Sequence, residues 1–563
     1  MFSRIFIANR AEIAVRIART CVESGAEAVA VYSDADKHAR HVEAATEAVH
    51  LPGASPTDTY LNIPALIDAA LSTSSEAVHP GYGFLAESSE FAEAVVAAGL
   101  TWIGPPPAAI RALGDKISAR RIAAAAGVPV VPGITDPLDD VRLLRDFGDE
   151  HGYPIAIKAA GGGGGRGLKV AHVPGDVQGA FDAARREARA YFGSEEVFVE
   201  RYLDAPKHLE VQLLAPAPDD ALWLGVRDCS MQRRHQKLIE ETPPPRWAER
   251  AEEMGEAAVA LSKAAGYVNA GTVEMLVDRD GGFYFLEVNS RLQVEHTVTE
   301  EVFGIDLVRC QLQIACGDGL SFTQADLLPG GHAIECRINA EDPANNFMPT
   351  PGVITRYVEP TGVGIRVDSG YGRGSEVPSA YDSLIAKLIT WGQNRIEARD
   401  RMSRALRSFE IEGIKTTIPA HLLLLGNEEF IAGTHTTRTV ETGALAALET
   451  IALETKVRDE GAADVLLVEG RPVLLWNPAM AASASAAVHG AASKGGLVAP
   501  MQGTILSVFV EQGQEVEAGD AICVLEAMKM ETTISAPASG VVKELNVAAG
   551  DTATAGTVLA VIE

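Results

Sequence analysis

The stretch that decides the fold runs from Gly271 to Glu295 and reads GTVEMLVDRDGGFYFLEVNSRLQVE. Two strand-like runs, Thr272 to Val277 and Phe283 to Val288, flank Asp280-Gly281, a dipeptide suited to a two-residue hairpin turn because glycine tolerates positive φ. With the turn placed there, Arg279 opposes Gly282, Val277 opposes Tyr284, and Glu274 faces Glu287. Directly opposed residues hold their Cβ atoms about 5 Å apart, so two carboxylates so placed repel each other unless a cation sits between them. The pairing therefore predicts a metal. Strand side chains alternate, so Glu287, Asn289, Arg291, Gln293 and Glu295 share one face for as long as the chain stays extended. Hard oxygen ligands suit Mg2+ or Mn2+, and Mg2+ usually takes one or two carboxylates and completes its shell with phosphate and water. A nucleotide phosphate is the natural partner. The plainer alternative is a solvated strand face, against which stand five polar residues in phase beside an apolar alternate face.

Composition bounds the rest. The chain has 563 residues, room for about three or four domains. Apolar content of 47% and charged content of 22% describe an ordinary globular protein. No apolar run approaches the length of a membrane helix and MFSRIFIANR has no secretory core, so a cytoplasmic protein without a membrane partner is expected. Six scattered cysteines without C-x-x-C spacing fit reduced thiols. A net charge of -28 argues against nucleic acid, which is bound through clustered Lys and Arg.

From the start of the chain, strand-like Arg4 to Ala8, a helical pattern through Glu23 and strand-like Ala28 to Tyr32 are followed by Ala77 to Pro80 and Thr101 to Gly104. This alternation predicts a parallel sheet with helices on its faces. Asn9-Arg10-Ala11-Glu12 is not a G-x-G-x-x-G turn, so a dinucleotide site is not expected, and His79 to Leu85, HPGYGFL, reads as a loop. Next, a strand from Pro154 to Ala160 runs into GGGGGRG, Gly161 to Gly167, and another strand from Leu168 to Ala171. A run of glycines offers successive N–H groups to an anion with no side chain in the way, and predicts a flap over phosphates; a flexible linker is the alternative. Strand-like Val197 to Leu203 and His208 to Leu214 precede Arg227 to Lys237, RDCSMQRRHQK, four fixed cations in eleven residues. In an acidic chain that density reads as an anion-binding patch, with a solvated strand surface as the alternative.

PIAIKAAGGGGGRG, RDCSMQRRHQK, EMLVDRDGGFYFLEVNSRLQVEH and HPGYGFL together resemble biotin carboxylase, an ATP-grasp enzyme, over about residues 1–446. The resemblance implies an α/β fold in three parts: a Rossmann-like N-terminal domain (1–113), an ATP-grasp domain with a Gly-rich lid (114–328) and an α+β C-terminal domain (329–446). It implies that ATP and bicarbonate give a carboxyphosphate that carboxylates N1′ of biotin. By position, Lys116, Lys158, Gly163 and Gly164 match phosphate contacts, while Glu200, Leu203, His208, Gln232, His235 and Leu276 match other parts of the ATP site. Glu274, Glu287 and Asn289 match the metal ligands; Lys237, Arg291, Gln293 and the Val294 backbone match the bicarbonate pocket. Glu295 matches the general base and Arg337 the residue that stabilises the biotin enolate. Ala11 stands where relatives usually have Gly, adding a methyl at a turn, and Thr297 stands where they usually have Pro, loosening the backbone beside the base.

Tyr381-Asp382-Ser383, Lys387 and a helix from Arg395 to Ser408 complete that unit. Residues 447–496 change character: Asp464 to Leu475 reads as a small hairpin about Gly470, and Pro478 to Gly496 is rich in Ala, Ser and Gly. That last stretch is too poor in large apolar residues to form a core, and as a coil of about 18 residues it spans roughly 23 Å, with an extended limit near 60 Å. Residues 497–563 hold an internal repeat: Ala499-Pro500-x-x-Gly503 recurs as Ala536-Pro537-x-x-Gly540, Val510-x-x-Gly513 as Val547-x-x-Gly550, and Ile522-x-Val524 as Leu559-x-Val561, always 37 positions on. Two copies of a short-strand unit imply a small all-β sandwich with a pseudo-twofold axis. Between the copies lies Glu526-Ala527-Met528-Lys529-Met530, which resembles the biotinylation motif, with Lys529 as the attachment site. The resemblance as a whole is to the α subunit of an acyl-CoA carboxylase. It implies a separate carboxyltransferase β subunit, a biotin protein ligase and a homo-oligomeric arrangement as partners. An ATP-grasp carboxylate-amine ligase, which gives Lys529 no role, and a biotin-bearing scaffold are the other readings.

Overall fold

The structure is a computed structural model and describes residues 2–159, 168–192, 196–448, 463–468, 471–476, 496–499, 503–527, 530–553 and 556–562. Gly163 and Gly164 of the glycine run, most of the Ala/Ser/Gly stretch, and Lys529 lie outside these residues.

The N-terminal unit is a five-stranded parallel sheet in the order Glu47–His50, Glu27–Tyr32, Arg4–Ile7, Ala77–His79, Thr101–Trp102. Its edge strand Glu47–His50 carried no clear apolar run and is an addition to the sequence reading. Both faces are covered, one by Ile13, Ile17 and their neighbours on the helix Ala11–Glu23, the other by a cluster around Phe6, Val29 and Phe91. That double burial is why these strands read as continuous apolar runs.

A second, eight-stranded sheet runs Phe283–Asn289, Asn269–Val277, Lys207–Ala217, Asp220–Arg233, Gln236–Thr242, His332–Asn339, Leu384–Gly392, Ile365–Ser369. Its last three strands come from beyond residue 328, so the chain after that point extends this sheet and adds three two-stranded sheets beside it. A four-stranded sheet (Gly133–Leu138, Val197–Arg201, Ile155–Ala159, Leu168–Ala171) carries Lys158 beside the glycine run.

The deciding hairpin forms, with two corrections. Glu274 does oppose Glu287, but Val277 pairs with Phe283, not Tyr284, and the link is a five-residue loop, 278–282, in place of a two-residue turn. The Asp278 carboxylate captures it by accepting from the N–H of Asp280 (3.1 Å) and of Gly282 (2.8 Å). The register slips between Glu274 and Met275, which leaves Leu286 as an extra residue opposite them. This bulge has a physical reason. Phe283 and Phe285 share parity with Glu287 and Asn289, so strict alternation would put both rings on the face of the acids. One inserted residue flips the phase, and Phe283, Phe285 and Val288 all enter the same core as Val273 and Met275. The strand also stops at Asn289, and Glu295 is the residue before the helix His296–Phe303. Gln293 and Glu295 therefore reach the site from a curled segment, not by strand alternation.

The predicted strand pair about Gly470 pairs as Ala463–Val468 with Arg471–Trp476. In the C-terminal module, two four-stranded sheets run Gly496–Val498, Val558–Ile562, Gly540–Leu545, Glu515–Val516, and Met530–Ser535, Ala521–Ala527, Gly503–Val508, Thr552–Ala553. Shifting residue numbers by 37 carries each strand of one sheet onto its counterpart in the other. The apolar clusters obey the same rule: Ala499, Ile505, Cys523, Leu525 and Leu559 in one correspond to Ala536, Val542, Ala560, Ile562 and Ile522 in the other.

Candidate active site

The site lies on the face of the large sheet that carries Glu274. Residues 208, 210 and 212 alternate onto this face, and His208 sits directly across from Leu276, Glu210 across from Glu274. Four groups converge on the Glu274 carboxylate: His208 Nε2 (2.9 Å), Lys237 Nζ (3.0 Å), Asn289 Nδ2 (2.9 Å) and Gln293 Nε2 (3.0 Å). Burial alone would raise this carboxyl, but Lys237 and His208 hold it well below the usual carboxylate range.

Glu295 is the second focus. It is 1% exposed, accepts from Lys237 Nζ at 2.5 Å and from Arg337 Nη2 at 2.9 Å, and lies 3.8 Å from the Cys229 thiol. Burial opposes its ionisation, yet Lys237, Arg337 and Arg227 together hold it well below the ordinary range, so it is a carboxylate at neutral pH. Lys237 also donates to Glu210 Oε2 (2.7 Å), which makes one ammonium the hub of three acids.

For Arg227 the basic run Arg227 to Lys237 is not the solvated strand surface that was the alternative to an anion-binding patch. It is two strands meeting at a tight turn, Arg234-His235, both in the left-handed region at φ 47 and 66. Arg227 is fully buried and donates to Glu210 Oε1 (2.5 Å), Gln212 Oε1 (2.7 Å), Gln293 Oε1 (2.8 Å), Thr299 Oγ1 (3.0 Å) and Thr272 Oγ1 (3.1 Å). Arg233 lies over the Phe347 ring, Gln232 is buried, and His235 is exposed at the turn. Of the four cations, Lys237 and Arg227 enter the acid cluster, while Arg233 and Arg234 stay outside it. Thr297 is likewise not a loosened position: it is buried and its hydroxyl donates to Glu335 Oε2.

Of the other predicted residues, Arg291 forms an ion pair with Glu87 Oε2 (3.1 Å) and donates to Asn289 Oδ1 (2.9 Å), which ties the site to the loop after HPGYGFL. Arg337 donates to Glu240 Oε1 (2.6 Å) as well as to Glu295. Lys158 pairs with Glu200, which Arg120 also approaches at 3.5 Å. Lys116 opens the helix Lys116–Ala125 and is exposed, Leu203 is half-buried in a loop, and the carbonyl of Val294 accepts from Lys387. The sequence reading missed Glu210, Glu240, Glu87 and the inward course of Arg227; the spacing of His208 and Glu210, two apart on a strand, was the available signal for the first.

Which acids could hold a divalent ion follows from which lack a partner. His208, Glu210 and Glu274 place possible donor atoms within 4.8 Å of one another, but Lys237 already stands among them. Glu287 differs: among the described residues it makes no hydrogen bond or ion pair, and burial, then the facing Glu274, raises its carboxyl. An acid left half-buried opposite another acid fits a cation bridging Glu274 and Glu287, with the Asn289 side chain beside them.

Comparison with known proteins bears on the whole chain. Residues 1–110 match the family described as "Biotin carboxylase, N-terminal domain", 115–323 "Carbamoyl-phosphate synthase L chain, ATP binding domain", 335–442 "Biotin carboxylase C-terminal domain" and 496–562 "Biotin-requiring enzyme". The chain is 45% identical over its full length, and over 98% of the relative, to the biotin-dependent acyl-coenzyme A carboxylase alpha3 subunit of Mycobacterium leprae. It is 48% identical to biotin carboxylase 1 of Bacillus subtilis over 78% of this chain and 99% of that one. Among solved structures, the biotin carboxylase domain dimer of the Hydrogenobacter thermophilus 2-oxoglutarate carboxylase, in complex with MgADP, ADP and bicarbonate, superposes with TM-score 0.72 at 43% identity, covering 80% of this chain and 99% of that chain. Among the described residues no helix is long and apolar enough to cross a membrane.

Proposed function

The chain belongs to the biotin carboxylase family of ATP-grasp ligases and carries a biotin-requiring module at residues 496–562, and from that premise we propose that it carboxylates biotin on its own Lys529, from ATP and bicarbonate. This is the first half-reaction of an acyl-CoA carboxylase, completed by a separate carboxyltransferase β subunit. The observation that carries the reading is the Lys237–Glu295–Arg337 constellation, a buried, ionised carboxylate between two cations.

Bicarbonate must lose a proton before it attacks the γ-phosphate. Glu295 takes that proton, while Lys237, Arg291, Gln293 and the Val294 N–H hold the oxygens. Because Lys237 and Arg337 depress the basicity of Glu295, the incoming anion must draw these cations to itself, which raises the base's affinity for a proton at the moment it is needed. Charge growing on the transferring phosphoryl group meets Lys116, Lys158 and the N–H groups of the glycine run, with Gly163 and Gly164 among them. Glu200, Leu203, His208, Gln232, His235 and Leu276 frame the rest of the nucleotide. A Mg2+ or Mn2+ ion held by Glu274, Glu287 and Asn289 would neutralise phosphate charge and orient the nucleotide. Arg337 presents its guanidinium fork to the oxygen of the acceptor ring as negative charge builds there.

The acyl-CoA reading rests on full-length similarity to the M. leprae subunit; a 2-oxo acid acceptor, as in the H. thermophilus relative, is the second reading. An avidin pull-down from the native host separates them by whether a carboxyltransferase active on acyl-CoA or on 2-oxo acids co-purifies; the same pull-down reports homo-oligomers and the biotin protein ligase. For the chemistry, Glu295→Gln should lower bicarbonate-dependent phosphate release with free biotin by about 10²- to 10⁴-fold and leave nucleotide binding intact. Equal turnover in the variant contradicts the assignment.

A further inference from the structure

Three sequence motifs have no part in the reaction as drawn: Asn9-Arg10-Ala11-Glu12, the His79–Leu85 loop and the strand after Tyr381-Asp382-Ser383. They meet on one ammonium group. Lys387 is 0% exposed on the strand Leu384–Gly392. Its Nζ donates to the carbonyl of Val294 at 3.0 Å, lies 3.3 Å from Glu12 Oε2 and stands 5.7 Å from the centre of the Tyr82 ring. Asp368, directly across the strand pair from it, is taken up by Arg366 at 2.7 Å.

The Val294 carbonyl and the Glu295 N–H belong to one rigid peptide plane. A donor fixed on that carbonyl therefore sets the orientation of the plane that leads into the base and, through the single Val294 Cα, restrains the preceding plane that carries the Val294 N–H. The supports of this ammonium are themselves costly. Ala11 enters the helix Ala11–Glu23 at φ 55, a left-handed conformation unfavourable for a residue with a Cβ, and so delivers Glu12 to the interior. Neither oxygen of Glu12 has a hydrogen-bond partner, and burial pushes its carboxyl up to about 7. A buried ion pair this poorly satisfied is a weak source of stability, since two apolar side chains of the same volume serve as well or better.

We propose that Lys387 is a positioning residue of the carboxylation reaction: it clamps the Val294–Glu295 peptide so that the Val294 N–H and the Glu295 carboxylate present themselves to bicarbonate together, with Glu12 and the Tyr82 ring steadying the ammonium. The inference rests on the bicarbonate pocket proposed above. It assigns a specific task to residues from three separate parts of the chain.

The test is steady-state turnover of the full chain with ATP and free biotin at varied bicarbonate, for the wild type, Glu12→Gln, and the paired variant Lys387→Met with Glu12→Gln. The pair removes both buried charges at nearly constant volume. The expected result is a folded protein whose KM for bicarbonate rises roughly 10- to 100-fold while its KM for ATP stays within about twofold. Glu12→Gln alone should raise the KM for bicarbonate by less than the pair does, because the carbonyl keeps its donor while the ammonium loses one support. A folded double variant with unchanged bicarbonate KM, or one in which both KM values rise together, overturns the proposal. Should the pair not fold by circular dichroism, Lys387→Arg keeps the charge but displaces the donor, and the same selective rise is required of it. A wild-type chain without bicarbonate-dependent turnover would instead overturn the pocket itself.

Discussion

The catalytic sheet and the C-terminal module are both built from antiparallel strands, but they treat charge in opposite ways. Around the hairpin, Glu210, Arg227, Glu240 and Glu295 are each at most 1% exposed: Arg227 pairs with Glu210, Arg337 with Glu240, and Lys237 and Arg337 with Glu295. In the module, none of the buried side chains among the described residues is charged or polar, and two small apolar clusters repeat each other at a spacing of 37 residues. The difference follows from the tasks. Activating a small oxyanion needs desolvated, fixed charges, which cost stability and must be satisfied as a network. Delivering an acceptor needs only a compact scaffold and a lysine.

That contrast can be broken by moving single charges. Arg227→Met should cost about 3 to 5 kcal/mol, because it breaks a buried ion pair, leaves Glu210 with Lys237 alone and removes the donor from four other buried acceptors; denaturant titration of the intact chain reads it. Lys543→Met on the exposed surface of the module should change stability by no more than about 0.5 kcal/mol. Equal effects would mean that the buried network is not what the catalytic sheet depends on.

A smaller effect sharpens the electrostatics. The wild-type base is held well below the usual carboxylate range, so no acid limb from Glu295 should enter the pH–rate profile between about pH 6 and 8. Lys237→Met removes its nearest cation, and the residual rate should acquire an acid limb displaced upward towards neutrality. A profile of unchanged shape would show that Lys237 does not set the ionisation of Glu295.

The smallest effect concerns backbone strain at the edge of the catalytic unit. Ala11→Gly relieves the left-handed φ of 55 but adds unfolded-state entropy, so stability should move by less than about 1 kcal/mol. Thermal unfolding measures it, and a loss of several degrees would show that the Ala11 methyl is a packing group and not a burden.

The sequence carried most of this fold because the patterns were periodic. The parallel sheet, the strand pair about Gly470, the helix Arg395–Ser408 and the duplicated module all followed from repeats in hydrophobicity or in residue identity. Facing acids at Glu274 and Glu287 were legible even though the turn beside them was misplaced, since the bulge at Leu286 and the longer loop compensate in register. The bulge itself had a trace, in that Phe283 and Phe285 stood in phase with the acids. What stayed hidden depended on contacts between distant segments. Charge density made Arg227 read as part of an anion-binding patch, and only the convergence of Glu210, Gln212, Thr272, Gln293 and Thr299 shows why a guanidinium is sealed there. The meeting of Glu12, Tyr82 and Lys387 left no local signal at all.

The central claim is tested most directly by incubating the biotinylated chain with ATP, Mg2+ and [14C]bicarbonate and counting acid-labile label on the protein recovered by gel filtration. The account predicts label on the wild type, none on Lys529→Ala, and undiminished turnover of free biotin by that variant. ATP consumed with no label on the wild-type chain, or label retained after Lys529→Ala, would contradict it.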